Sequence, residues 1–75
     1  MRPDDQERIQ KIAARIKELR ISGGYTSYEN FAVKHGFDRK QYWRLEEGKT
    51  NFQIGSLFRI VEIHQISLEE LFRGL

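Results

Sequence analysis

Apolar residues in the N-terminal third recur every three or four positions, and this spacing strongly limits what the chain can fold into. The stripe consists of Ile9, Ile12, Ala13, Ile16 and Leu19. This period places the side chains on one face of an α-helix, opposite a charged face. Gly23 and Gly24 follow and are expected to end the helix. No segment shows the sustained alternation of a β-strand, so the sequence predicts an all-α protein.

Two shorter helices are marked by capping residues and glycines. Thr26, in a capping box with Glu29, and Ser27 are rival N-caps of a second helix that ends at Gly36. A third helix is predicted to begin after Asp38 and to run to about Glu47. The glycine-containing turn between them has the proportions of a helix-turn-helix.

The C-terminal third predicts two more helices. The fourth opens at residues 51–53, and its predicted apolar face comprises Ile54, Leu57, Phe58, Ile60 and Val61. A capping box from Ser67 to Glu70 begins a fifth helix of one or two turns. The expected architecture is therefore a five-helix bundle that contains a helix-turn-helix.

Length and composition exclude several classes of protein. A chain of 75 residues forms one domain, here residues 1–75, in which residues 1–8 are a segment prone to fray. The absence of cysteine argues against a disulfide scaffold and fits a reducing cytosol. The N-terminus lacks the apolar region of a signal peptide, and no apolar run is long enough to span a membrane.

Enzymatic chemistry and cofactor binding have little support. The two histidines, His35 and His64, stand far apart without a ligand pattern, so no metal site is predicted. No phosphate-binding glycine loop is visible, and a bundle this small is not expected to hold a pocket of ~300 Å³. We therefore predict a protein that is not an enzyme and has no cofactor.

The third helix combines an apolar face with a basic, aromatic one. Tyr42 and Leu45 share the face that is expected to point inward. The outward face consists of Arg39, Lys40, Trp43, Arg44 and Glu47. The DNA major groove admits a helix, and Arg or Lys can donate hydrogen bonds to guanine there. For Trp43 two interpretations stay open: contact with a thymine methyl or sugar, or packing against a neighbouring helix or partner.

Residues 9–72 resemble the Cro/repressor-type, or XRE-type, helix-turn-helix family. The resemblance rests on Ile16-Lys17-Glu18-Leu19-Arg20, Phe31-Ala32, Gly36-Phe37-Asp38, Arg44-Leu45-Glu46-x-Gly48-Lys49 and Ile66-Ser67-Leu68-Glu69-Glu70-Leu71-Phe72. It implies a five-helix, lambda-repressor-like bundle. The matching positions imply base reading by Arg39, Lys40, Trp43 and Arg44. They imply DNA backbone contacts from Ser27, Tyr28, Lys49, Thr50 and Asn51. They also imply that Arg20 and Glu46 form a structural ion pair.

The predicted function is sequence-specific binding of double-stranded DNA by a bacterial or mobile-element transcriptional regulator, a repressor located in the cytoplasm at the nucleoid. A palindromic operator and a homodimer are expected. The predicted dimer contacts, in the fourth and fifth helices, are Ile63, Ile66, Leu71, Phe72 and Leu75. One alternative is an antitoxin that represses its own operon and binds a toxin. Another is a protein-interaction bundle without DNA binding, which Glu47 and the formal charge of only +2 favour.

Overall fold

A computed structural model describes residues 2–49 and 51–75, and five α-helices lie in these ranges. They are α1 (Pro3–Ser22), α2 (Tyr28–Lys34), α3 (Arg39–Glu47), α4 (Ile54–His64) and α5 (Leu68–Phe72). The described residues contain no strand, so the all-α prediction is confirmed. No described helix is both long and apolar enough to cross a membrane. Thr50, a predicted backbone contact, lies outside the described residues.

The helix ends follow the capping chemistry of the sequence. Ser27 is the N-cap of α2, because its Oγ accepts the backbone N–H groups of Glu29 and Asn30 at 3.2 and 3.3 Å. This decides between Ser27 and Thr26. Asp38 caps α3 as predicted, accepting the N–H of Gln41 at 3.1 Å. Local hydrogen bonds of this kind satisfy N–H groups that have no partner within the helix.

The core forms around one aromatic side chain of α2. Phe31 is fully buried and lies 4.9 Å from the ring of Tyr42, measured between centroids. Tyr25 meets Phe31 edge-on at 5.2 Å. The other fully buried large side chains are Ile16, Ile60 and Leu71. Because these come from α1, α4 and α5, one core joins all the helices.

The apolar face of α4 is narrower than predicted, and the helix begins later. It starts at Ile54 rather than at residues 51–53. Leu57, Ile60 and Val61 are buried, but Ile54 is 55% exposed and Phe58 is 45% exposed. At ~100° per residue, Ile54 and Phe58 lie on the flank of the buried stripe, and both stay exposed to solvent. The predicted apolar face of α4 is therefore only partly buried.

The predicted dimer residues are mostly used inside the molecule. Leu71 is fully buried, and Ile63, Ile66 and Phe72 pack against the core. Only Leu75 of this set is exposed, at 45%. The small domain uses these side chains to close its own core, so they do not form a free apolar surface.

Two arginines tie distant segments together by donating to backbone carbonyls. Arg15 of α1 donates from Nη1 to the carbonyl oxygens of Leu71 and Arg73 at 2.8 and 2.7 Å. Arg59 of α4 donates to the His35 carbonyl at 2.7 Å and lies over the Phe37 ring. Carbonyls at helix ends lack partners within the helix, so each arginine stabilises a helix end together with an interhelical contact.

Candidate nucleic-acid interface

A buried ion pair fixes α3 against α1. Arg20 Nε and Nη2 donate to the two carboxylate oxygens of Glu46 at 2.7 and 3.0 Å. The side chains are 6% and 7% exposed. Arg20 Nη1 also donates to the carbonyl of Tyr25 at 2.9 Å, beyond the end of α1. A bidentate pair of this kind restrains both distance and orientation. The structure thus brings together the two residues that the sequence suggested as partners.

Tyr42 lies beside this pair on the inner face of α3. Its hydroxyl is buried and makes no hydrogen bond of good geometry within the described ranges. Burial raises the pKa of Tyr42, and the adjacent Glu46 carboxylate raises it further. The hydrogen bond to Glu46 likewise raises the pKa of Arg20. The Arg20 guanidinium therefore stays charged and the phenol stays neutral at any physiological pH.

The outer face of α3 is open to solvent. Tyr42 and Leu45 are buried, as predicted. The exposed residues on the opposite side are Arg39, Lys40, Trp43, Arg44 and Glu47. The helix therefore presents its cations outward while buried contacts and the ion pair hold its inner face.

A groove between α2 and α3 contains most of the predicted base-reading residues. This α2–α3 groove has a volume of about 350 Å³ and is lined by Tyr28, Glu29, Arg39, Lys40 and Trp43. The groove is open to solvent, so it is a surface cleft and not an enclosed pocket. Glu29 was missed as a member of this site, since in the sequence it stands out only as part of a capping box.

A second groove lies on the other side of α3. This α3–loop groove has a volume of about 210 Å³, and its lining residues are Gln41, Arg44, Leu45, Asn51, Phe52, Gln53 and Ser56. Arg44 and the predicted backbone contact Asn51 therefore meet here. The structure divides the predicted reading residues between the two sides of α3.

The segment after α3 adds a third cation close to Trp43. Lys49 Nζ lies 5.9 Å from the centroid of the Trp43 ring and 3.9 Å from Glu47 Oε1. Lys49 is 70% exposed, so neither contact removes its charge from solvent. At the other end of the site, the Ser27 hydroxyl serves as the N-cap of α2, and Tyr28 is half-buried.

The two histidines pack against one phenylalanine ring rather than forming a ligand set. His35 and His64 lie 4.5 and 5.4 Å from the Phe31 centroid. Burial lowers the pKa of His64, and the nearby His35 lowers it further. Among residues 2–49 and 51–75, no three histidine, aspartate or glutamate side chains gather as they would to hold a metal ion.

Comparison of the chain with family models, curated proteins and solved structures gave no match in any of the three.

Proposed function

We propose that this protein binds double-stranded DNA in a sequence-dependent way, with α3 in the major groove. The observation that carries the proposal is the contrast between the two faces of α3. The inner face is fixed by Tyr42, Leu45 and the Arg20–Glu46 pair, while the outer face exposes three cations and a tryptophan. A rigid basic helix of this width fits a groove ~12 Å wide.

The two grooves suggest how the contacts are divided. Arg39, Lys40 and Arg44 can donate to guanine O6 and N7, with arginine able to do so in bidentate fashion. Lys49 and Asn51 lie beyond the end of α3, where they can meet a phosphate strand. The N-terminal residues Ser27 and Tyr28 of the α2 region are the proposed contacts on the other strand. The resemblance of residues 9–72 to XRE-type domains supports the same assignment.

The corresponding biological role is transcriptional regulation by occupation of an operator. A protein that covers a promoter site blocks polymerase sterically and needs no pocket for an effector. We propose a homodimer on a palindromic operator, because an isologous pair of copies matches the two-fold symmetry of such a site. An antitoxin that represses its own operon would use the same DNA contacts.

The test compares variants of the two proposed kinds of contact. A preferred duplex is first selected from a random pool. Arg39→Ala and Arg44→Ala should each lose ~1–3 kcal/mol of binding free energy on that duplex and relax the base preference at one or two base pairs. Lys49→Ala should weaken binding to all DNA sequences about equally. It should also lower the slope of log affinity against log salt concentration by ~1. Affinity is measured on a preferred and a scrambled duplex at two salt concentrations.

Lys11→Ala is the matched control, since it removes one positive charge from the solvent face of α1. It should leave sequence preference unchanged. If Arg39→Ala and Arg44→Ala both keep wild-type discrimination, α3 is not the reading element and the proposal is wrong.

Two features favour a second function, protein binding without DNA. Ile54 and Phe58 expose an apolar strip on α4, and Glu29 and Glu47 place negative charge beside the proposed DNA surface. A protein-interaction bundle would show neither the steep loss of affinity with salt that phosphate contacts cause nor any enriched sequence.

A further inference from the structure

We propose that Trp43 reads the C5-methyl group of a thymine that lies within one or two base pairs of the base contacted by Arg39. This inference rests on the proposed DNA binding and specifies which chemical feature of the site is recognised. It assigns Trp43 as a specificity-determining residue rather than a packing residue.

The indole of Trp43 lies part-exposed between two helices. Trp43 is 38% exposed although it is the largest side chain of α3, and it lies in the α2–α3 groove between the two helices. Arg39 and Lys40 precede it by four and three residues, so the three side chains share one face of α3. An apolar ring therefore stands in the middle of a cationic surface, where the Lys49 ammonium lies 5.9 Å from its centroid.

The charge around the ring is mixed rather than purely positive. Glu29 lines the same groove as Arg39 and Lys40, and Glu47 lies one helical turn beyond Trp43. A base pair can use both signs of charge, because exocyclic amino groups donate hydrogen bonds that a carboxylate accepts, and guanine O6 and N7 accept from Arg or Lys.

An indole can recognise an apolar group on a base edge. The Trp ring offers an apolar surface and one N–H donor. In the major groove the thymine methyl is the apolar group that distinguishes one natural base pair from another. Arg39 lies one turn away, a rise of ~5.4 Å, and successive base pairs are ~3.4 Å apart. The two side chains therefore reach the same or neighbouring steps of the duplex.

The experiment removes only the methyl group. Each thymine of the selected duplex is replaced singly by uracil, and binding is measured for the wild type, Trp43→Ala and Trp43→Gln. At one thymine near the Arg39-dependent base pair, uracil should weaken wild-type binding about fourfold, which corresponds to ~0.8 kcal/mol for one buried methyl. Both Trp43 variants should bind the two duplexes equally well.

Arg44→Ala is the control, because Arg44 lies in the other groove and should keep the full uracil penalty. Melting curves of both Trp43 variants check that the fold is intact. If uracil costs nothing at any position, or costs the same in the Trp43 variants, the inference is overturned while sequence-specific binding stands. If the wild type selects no sequence at all, the proposed function fails together with it.

Discussion

At the scale of single residues, the placement of α3 depends on a carboxylate. Glu46→Ala leaves the Arg20 guanidinium buried without its charge partner, so we expect a loss of ~3–5 kcal/mol in the free energy of unfolding. The neighbouring Glu47 has a side chain that is 39% exposed, and within the described residues its ion pair is with the exposed Lys49. Glu47→Ala should therefore cost less than ~1 kcal/mol. Urea denaturation of the two variants makes the comparison.

A double variant shows whether the loss of stability comes from leaving Arg20 buried without its charge partner. Arg20→Met with Glu46→Leu removes both charges and keeps apolar volume, so it should be more stable than Glu46→Ala. Equal destabilisation of Glu46→Ala and Glu47→Ala would mean that the pair does not hold α3 in solution.

His64 makes stability depend on pH. Its Nε2 is buried without a hydrogen-bond partner in the described part of the chain, and burial lowers the pKa of His64 below its ordinary 6.5. The unfolded chain then binds the proton more readily than the folded one. The free energy of unfolding is therefore highest above about pH 6.5, and it falls as the pH drops through the lower pKa of His64 in the folded state.

The measurement is the melting temperature of the wild type and of His64→Phe between about pH 7.5 and 5.5. The variant keeps an aromatic ring against Phe31 but has no proton to bind, so its melting temperature should fall less over this range. An identical fall in both proteins would assign the pH dependence to other groups.

At the scale of the elements, the end of α3 is set by a glycine that touches α1. Gly48 has φ 65°, and a Cβ built there would lie 2.8 Å from the Cβ of Ala13. Gly48→Ala combines a left-handed conformation with a steric clash, so it should lower the free energy of unfolding by at least ~2 kcal/mol. The urea midpoint of the variant checks this value.

Substitutions at two other glycines separate the cost of the left-handed conformation from the cost of the steric clash. Gly24 has φ 94°, and no atom lies within 4 Å of the place that a Cβ would take, so Gly24→Ala should cost only ~1 kcal/mol. Gly55 lies in the first turn of α4 with open space around it, and Gly55→Ala should stabilise by up to ~1 kcal/mol. If Gly48→Ala is no worse than Gly24→Ala, the contact with α1 has no energetic effect.

The helices themselves were predictable, because their signals are local. The stripe from Ile9 to Ile16 and the caps Asp38 and Ser67 act within a few residues of the chain. The inward face of α3 followed from helical spacing alone, since Tyr42 and Leu45 are three residues apart. Local hydrogen bonds and helical periodicity do not depend on the rest of the fold, so a sequence displays them directly.

What the sequence did not predict depends on contacts between distant segments. Arg15 looks like any charged residue on the solvent side of α1, yet it caps α5. Phe58 looks like a core residue, and only the position of its neighbours leaves it exposed. Glu29 becomes part of the candidate site because α2 and α3 face each other across a groove. None of these relationships has a local signature.

At the scale of the whole molecule, size and surface are compatible with two copies on one DNA site. The longest dimension is 34 Å, which is close to the ~34 Å between successive major grooves on one side of DNA. A homodimer of the proposed kind would need no linker to reach both half-sites. Ile54 and Phe58 of α4 are exposed apolar residues that such a dimer could bury.

Phe58→Asp places a charge in this contact and should shift sedimentation towards the monomer and weaken binding to a palindromic duplex. Val33→Asp is the control, because Val33 is 67% exposed on α2. It should change neither property. A wild-type protein that sediments as a monomer both free and on its operator would contradict the homodimer.

The half-exposed position of Trp43 also gives the molecule a built-in optical probe. Trp43 is the only tryptophan in the sequence, so the indole fluorescence of the protein comes from one place on α3. If DNA covers that place, the emission reports occupancy directly, and no dye has to be attached to a domain of 75 residues. The aromatic residues of the core are tyrosine, phenylalanine and histidine, so excitation selective for indole follows the surface of α3 and not the core.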